Sequence, residues 1–305
     1  MPSLRGNDSP LPPAYNRLMT QTIGIIGTGA LGTLMAWHWR QTELYAARRS
    51  SDNPPFVILT GDDLHEFQAM PWQGESLDWL VVCTKASDAL EALQQRQAWL
   101  GRVDHLLLLQ NGMGQQQQVA DWLARQPLAP TLWAAVSTEG AYRTETGQVV
   151  YAGKGHTHAG RWSESDIETT VALPPGVLPA ADIRERMLAK LAINAIINPL
   201  TGYYRCHNGE LLTEPDRRRH FERLSEEVAD FYQLQGWCSQ LDIRQQALSV
   251  AEATARNKSS TLQDILAGRP NELPYICGYL LAEAAGNRHD LPVTQDLYQQ
   301  LTSGA

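Results

Sequence analysis

The 305-residue chain is 43% hydrophobic and 19% charged, a composition of soluble globular proteins, and it is long enough for two domains. Its net charge of -8 argues against a binder of nucleic acid or of an anionic membrane surface, so an anionic ligand needs a local cationic pocket. Cys83, Cys206, Cys238 and Cys277 show neither CxxC spacing nor a disulfide framework, which points to reduced thiols and no metal centre.

Residues 1–18, rich in Pro, Ser and Asn, read as a disordered extension, with Met19 a candidate start. They lack the apolar middle of a secretory signal, and no run approaches the roughly 18 apolar residues of a membrane helix. A cytoplasmic protein is expected. Thr22–Ile26 is a β-branched run ending at Gly27 and reads as a buried strand. Residues 30–40 have helical spacing, with Leu31, Leu34, Met35 and Trp39 on one side. A second strand is expected at 44–47 and a β-ribbon at 56–60 and 65–70. Strong buried strands at 79–84 and 105–110 flank a helix around 88–100, and another strand follows at 131–137. Gln115–Gln118 suggests an exposed helix, and 147–160 a hairpin.

This alternation predicts an α/β Rossmann-type N-terminal domain, residues 19–180, with a mostly parallel sheet. Pro174–Pro179 punctuates the chain. Helices then follow at roughly 183–212, 215–236, 240–257, 260–267 and 272–288, predicting an all-α C-terminal domain over 181–305.

The loop Gly27-Thr28-Gly29-Ala30-Leu31-Gly32 follows a strand and opens a helix, the context that turns a common GxGxxG pattern into a dinucleotide site. Gly27 allows the turn, Gly29 lets backbone amides approach a pyrophosphate, and Gly32 lets helix and strand pack closely. After the second strand come Arg48 and Arg49 where an NAD enzyme places a carboxylate. Two solvated arginines would look the same, but a guanidinium fork suits a 2′-phosphate, so NADPH/NADP+ is the expected cofactor. Two further loops follow strand ends: one holds Lys85, the other Asn111 before Gly112. An amide at Asn111 can both donate and accept.

Lys190, Asn194 and Asn198 recur at i, i+4 and i+8 inside the apolar run LAINAIINPL, rising about 6 Å per step along one helix face. Burying them costs several kcal/mol unless they are partnered, so a polar line here suggests a cleft. Lys190 is the candidate general acid for a ketone reduced to an alkoxide, with Asn194 and Asn198 orienting substrate and holding the lysine. Pro199 suggests a kink at Asn198. Asn257, Ser260 and Glu272 flank Gly268-Arg269-Pro270, and by themselves read as ordinary residues: Ser260 a helix N-cap, Glu272 a solvated helix start.

These residues sit in segments that resemble the ketopantoate reductase (2-dehydropantoate 2-reductase) family: IGIIGTGALG, VVCTKA, QNGMG, KLAINAIINPLTG, HNGEL, NKSSTLQDI and NELPYICGYLL. The resemblance spans roughly residues 22–290 and is most specific in KLAINAIINPLTG and SSTLQD. It implies NADPH-dependent reduction of 2-dehydropantoate to (R)-pantoate on the route to pantothenate and coenzyme A. By that likeness Lys190 is catalytic and Glu272 holds a substrate hydroxyl. Asn111, Asn194, Asn198, Asn257 and Ser260 contact substrate, while Lys85 and Asn111 lie near the cofactor. A relative acting on another branched 2-oxo acid, or a non-catalytic NADP(H) sensor, would share much of this pattern. A small-molecule partner and a monomer or homodimer are expected.

Overall fold

The structure is a computed structural model that describes residues 21–48, 53–144, 146–162 and 171–303. The expectations for residues 1–18 and for Arg49 lie outside the described residues.

Strand β1 (Thr22–Ile26) sits inside an eight-stranded sheet, between β2 (Glu43–Ala47) and β6 (Leu77–Val82), and pairs with both in parallel. Its continuous apolar run follows from burial on both faces. Beyond β6 come β7 (Val103–Leu108) and β8 (Thr131–Ser137), also parallel. Beyond β8, β11 (Thr157–Arg161) runs antiparallel to it and β12 (Val177–Pro179) closes that edge; β5 (Met70–Pro71) closes the other. Alternate side chains go to opposite faces. Ile23, Ile25, Val81 and Leu107 pack with helix α1 (Ala30–His38) through Leu34 and Met35. Ile26, Leu80, Val82 and Leu106 pack with α2 (Ala86–Gln94) and α3 (Gln115–Leu123) through Leu93 and Trp122. From β1 the chain winds one way to β2, and from β6 the other way to β7 and β8. Ligands bind such sheets at the carboxyl ends of the strands beside this reversal.

A second sheet, in the order β4-β3-β10-β9, combines β3 (Phe56–Thr60), β4 (Asp63–Phe67), β9 (Gly140–Arg143) and β10 (Val149–Gly153). The ribbon of β3 and β4 forms as expected. The hairpin expected at 147–160 does not: β10 pairs with β3 and β9, whereas β11 joins the large sheet. Both strands exist, but their partners are distant in sequence. Gln115–Gln118 is likewise corrected at its first two residues. Gln115 and Gln116 are buried, and both side-chain amides donate to the carbonyl of Gly112.

The C-terminal half is helical. α4 (Ile183–Tyr204) is 22 residues long, about 33 Å, and is capped by Asp182 accepting from the Glu185 amide at 2.8 Å. It ends at Tyr204, and the short α5 (Glu210–Thr213) follows, so one continuous helix to 212 does not form. α4 runs through Pro199 as one helical element. α6 (Pro215–Gln235), α7 (Ile243–Ala253), α8 (Ser260–Leu266), α9 (Leu273–Gly286) and α10 (Pro292–Thr302) all pack on it. α10 was not anticipated from the sequence. Glu227 on α6 accepts from the amides of Val293 and Thr294, both at 2.8 Å, and from the Thr294 hydroxyl, satisfying that helix's first turn. Among the described residues no helix is long and apolar enough to cross a membrane.

Candidate active site

The carboxyl ends of the parallel strands and the middle of α4 meet along a cleft of about 1130 Å³. The cleft is lined by Asn111, Lys190, Asn194, Asn198, Asn257 and Ser260, together with Leu31 of the glycine loop. Six residues dispersed over the sequence therefore share one surface. Among the described residues its charged lining is Arg143, Lys190, Arg256, Lys258 and Arg269 against a single carboxylate, Glu139. An acidic chain thus has the cationic pocket that an anionic ligand requires.

Lys190 is half-buried, and its ammonium donates to Asn111 Oδ1 at 2.7 Å and to the Ser137 carbonyl at 2.6 Å. An ammonium has three hydrogens, so one remains. Burial pulls its pKa down from 10.5 to about 8, with the Glu272 carboxylate pushing the other way. Asn111 uses both ends of its amide, since Nδ2 donates to Glu272 Oε2 at 3.1 Å. Glu272 is 7% exposed, and burial raises its pKa against the opposing pull of Lys85, the Asn111 hydrogen bond and Lys190. A solvated helix start is thereby excluded for Glu272, and it meets Lys190 through Asn111.

The alignment of Asn111 depends on a docking contact. Gly112 adopts φ +81°, and a Cβ there would lie 2.4 Å from the Tyr275 carbonyl. The Met113 amide donates to that same carbonyl at 2.8 Å. Only glycine lets the loop after β7 come this close to the first turn of α9.

Asn194 and Asn198 face the cleft on the same side of α4 as Lys190. They do not hold the lysine, a task that falls to Asn111 and the Ser137 carbonyl. The N-cap of α8 is Ser259, whose hydroxyl accepts from the Leu262 amide and from Thr201 Oγ. Ser260 is the first residue of that helix and lines the cleft. Lys85 does not line it. Its ammonium pairs at 2.5 Å with Asp264, which also accepts from Arg269. Sequence reasoning missed Ser137, Asp264 and Asn208. Asn208 is buried at the cleft, donates to Thr254, and leaves Oδ1 without a partner. The segment HNGEL was its only signal; a backbone acceptor such as Ser137 O has none.

At the other end, the glycine loop has the shape a dinucleotide needs. A Cβ on Gly32 would lie 1.9 Å from the Gly27 carbonyl, whereas one on Gly29 would meet nothing within 4 Å. Gly27, at φ +93°, lies against the backbone of Cys83 and Thr84. Thr28 and Ala30 complete the turn between β1 and α1. Nearby, Arg48 packs its guanidinium 4.6 Å above the Phe56 ring, and its buried Nε and Nη2 have no partner among the described residues. A partly buried guanidinium with two unpaired nitrogens beside a glycine-rich turn fits a phosphate-bearing cofactor.

Fold and site together define a dinucleotide-dependent oxidoreductase. Residues 23–164 match the ketopantoate reductase PanE/ApbA family and residues 182–304 match that family's C-terminal region. The chain belongs to the ketopantoate reductase family. It is 32% identical to the 2-dehydropantoate 2-reductase of Yersinia pestis over 91% of this chain and 93% of that one. With the Vibrio cholerae 2-dehydropantoate 2-reductase it shares 29% identity over 92% and 96%. The crystal structure of 2-dehydropantoate 2-reductase from Geobacter metallireducens has the same fold, with a TM-score of 0.78 at 19% identity, covering 93% of this chain and 100% of that one.

Proposed function

We propose that this protein reduces 2-dehydropantoate to (R)-pantoate with NADPH, a step toward pantothenate and coenzyme A. The observation that carries the reading is the Lys190 ammonium, held by two acceptors at the cleft with one hydrogen to spare. When bound, NADPH supplies the hydride. Lys190 donates its free hydrogen to the substrate's keto oxygen, stabilises the negative charge that develops there and gives up the proton. Asn111 and Ser137 O keep that hydrogen aimed into the cleft. Glu272 supports the lysine's positive charge and accepts from a substrate hydroxyl. Asn194, Asn198, Asn257 and Ser260 orient the substrate, with Ser260 and the amides holding its carboxylate. The glycine loop, Arg48 and Lys85 serve the cofactor, with Arg48 at the 2′-phosphate.

Residues 19–180 form the cofactor-binding domain and 181–305 the substrate domain. The enzyme works in the cytoplasm as a monomer or homodimer. NADPH oxidation with 2-dehydropantoate, compared with 2-oxoisovalerate by kcat/KM, tests the substrate; equal values for the two would refute it. Lys190→Ala tests the acid: kcat should fall about 100- to 10,000-fold while NADPH still binds.

A further inference from the structure

Arg143 ends β9 on the four-stranded sheet, outside every motif read from the sequence. Its side chain is exposed and lines the cleft, yet it reaches across to the glycine loop. Nη2 donates to the Thr28 carbonyl at 2.7 Å, and Nη1 donates to the Gly147 carbonyl at 2.9 Å. Two of five guanidinium hydrogens are thereby used, and three remain for a ligand. Arg48 follows Ala47, which pairs with Ile26 just before that same loop, so the two arginines approach it from two sides, and Arg143's charge adds to burial in lowering the Arg48 pKa. Both arginines belong to one small unit: Arg48 rests on Phe56 of β3, and β3 joins β9 through β10.

Two guanidinium groups near one loop repel, and among the described residues neither has a carboxylate partner. Such a pair is relieved by an anion between them. A phosphate monoester offers three acceptor oxygens and close to two negative charges, which matches two forks better than a diester oxygen does.

We propose that Arg143 is a second reader of the cofactor's 2′-phosphate, closing a two-arginine clamp with Arg48 from the four-stranded sheet. The inference rests on the NADPH reading above. It makes the small sheet part of the specificity device, pinned to the glycine loop through Thr28.

The test is fluorescence titration of NADPH and NADH against the full chain, Arg143→Gln, Arg143→Lys, Arg48→Gln and the double variant, with melting temperatures to verify folding. Arg143→Gln should weaken NADPH about 10- to 100-fold, the worth of a charged hydrogen bond, and leave NADH unchanged. Arg143→Lys should fall between, keeping the charge and losing the fork. The double variant should lose less than the product of the single losses, because both arginines share one phosphate. Equal weakening of NADPH and NADH by Arg143→Gln would overturn the proposal, making the residue a brace for the loop or a pyrophosphate contact. Unaltered NADPH binding would overturn it too. If the unmodified protein binds NADH as tightly as NADPH, the cofactor reading itself fails, and this inference with it.

Discussion

A lysine that protonates substrate is active only while it holds its proton, and burial here sets that limit at about pH 8 in place of 10.5. Below pH 8 Lys190 is charged and the reaction proceeds. Above it the proton is lost, and kcat/KM for the keto acid at saturating NADPH should fall about tenfold per pH unit. At pH 9 roughly a tenth of the activity should remain, whereas a solvated lysine would keep nearly all of it. Glu272→Gln sharpens the test. The carboxylate raises the Lys190 pKa, so its removal should move the midpoint to lower pH. The assay is the initial rate of NADPH absorbance loss between pH 6 and 10, on the native protein and on Glu272→Gln. A flat profile through the alkaline range, or a midpoint unmoved in Glu272→Gln, would refute the assignment of Lys190 as the acid held by this network.

Other outcomes follow from the same geometry. Gly29→Ala should fold normally, since its Cβ enters open space, but should weaken NADPH binding measured by titration; Gly32→Ala should lose the fold, with its Cβ 1.9 Å from the Gly27 carbonyl. Asn111→Ala removes an acceptor from Lys190 and the donor to buried Glu272, so kcat should fall and urea unfolding should show a loss of about 1–3 kcal/mol. Glu227→Ala leaves the first turn of α10 without its acceptor, and should cost about 2 kcal/mol by the same measurement with kcat preserved.

Periodicity made part of this site legible. Lys190, Asn194 and Asn198 recur every fourth residue in an apolar run, and a helix converts that spacing into one face. The glycine loop was readable because its strand and helix are its immediate neighbours. The second sheet was not: β10 pairs with β3, some ninety residues earlier, and nothing local at Val149–Gly153 says so. A glutamine run looks solvated by composition, yet Gln115 and Gln116 are drawn inward because the Gly112 carbonyl needs donors. The capping role moved from Ser260 to Ser259, a difference of one residue that decides whether a hydroxyl faces backbone or ligand.

The contact of Gly112 with Tyr275 has a consequence for inheritance. The hydrogen-bonded unit proposed to donate the proton is assembled from both halves of the chain: Asn111 and Ser137 come from the ends of sheet strands, Lys190 from α4 and Glu272 from the start of α9. Neither half can be exchanged for a relative's unless the loop after β7 still seats against the turn opening α9. Cofactor preference, which we propose is set by Arg48 and Arg143, is free of that restriction. The two traits can therefore drift at different rates: the choice of dinucleotide by single substitutions, the proton donor only by matched changes on both sides of the seam.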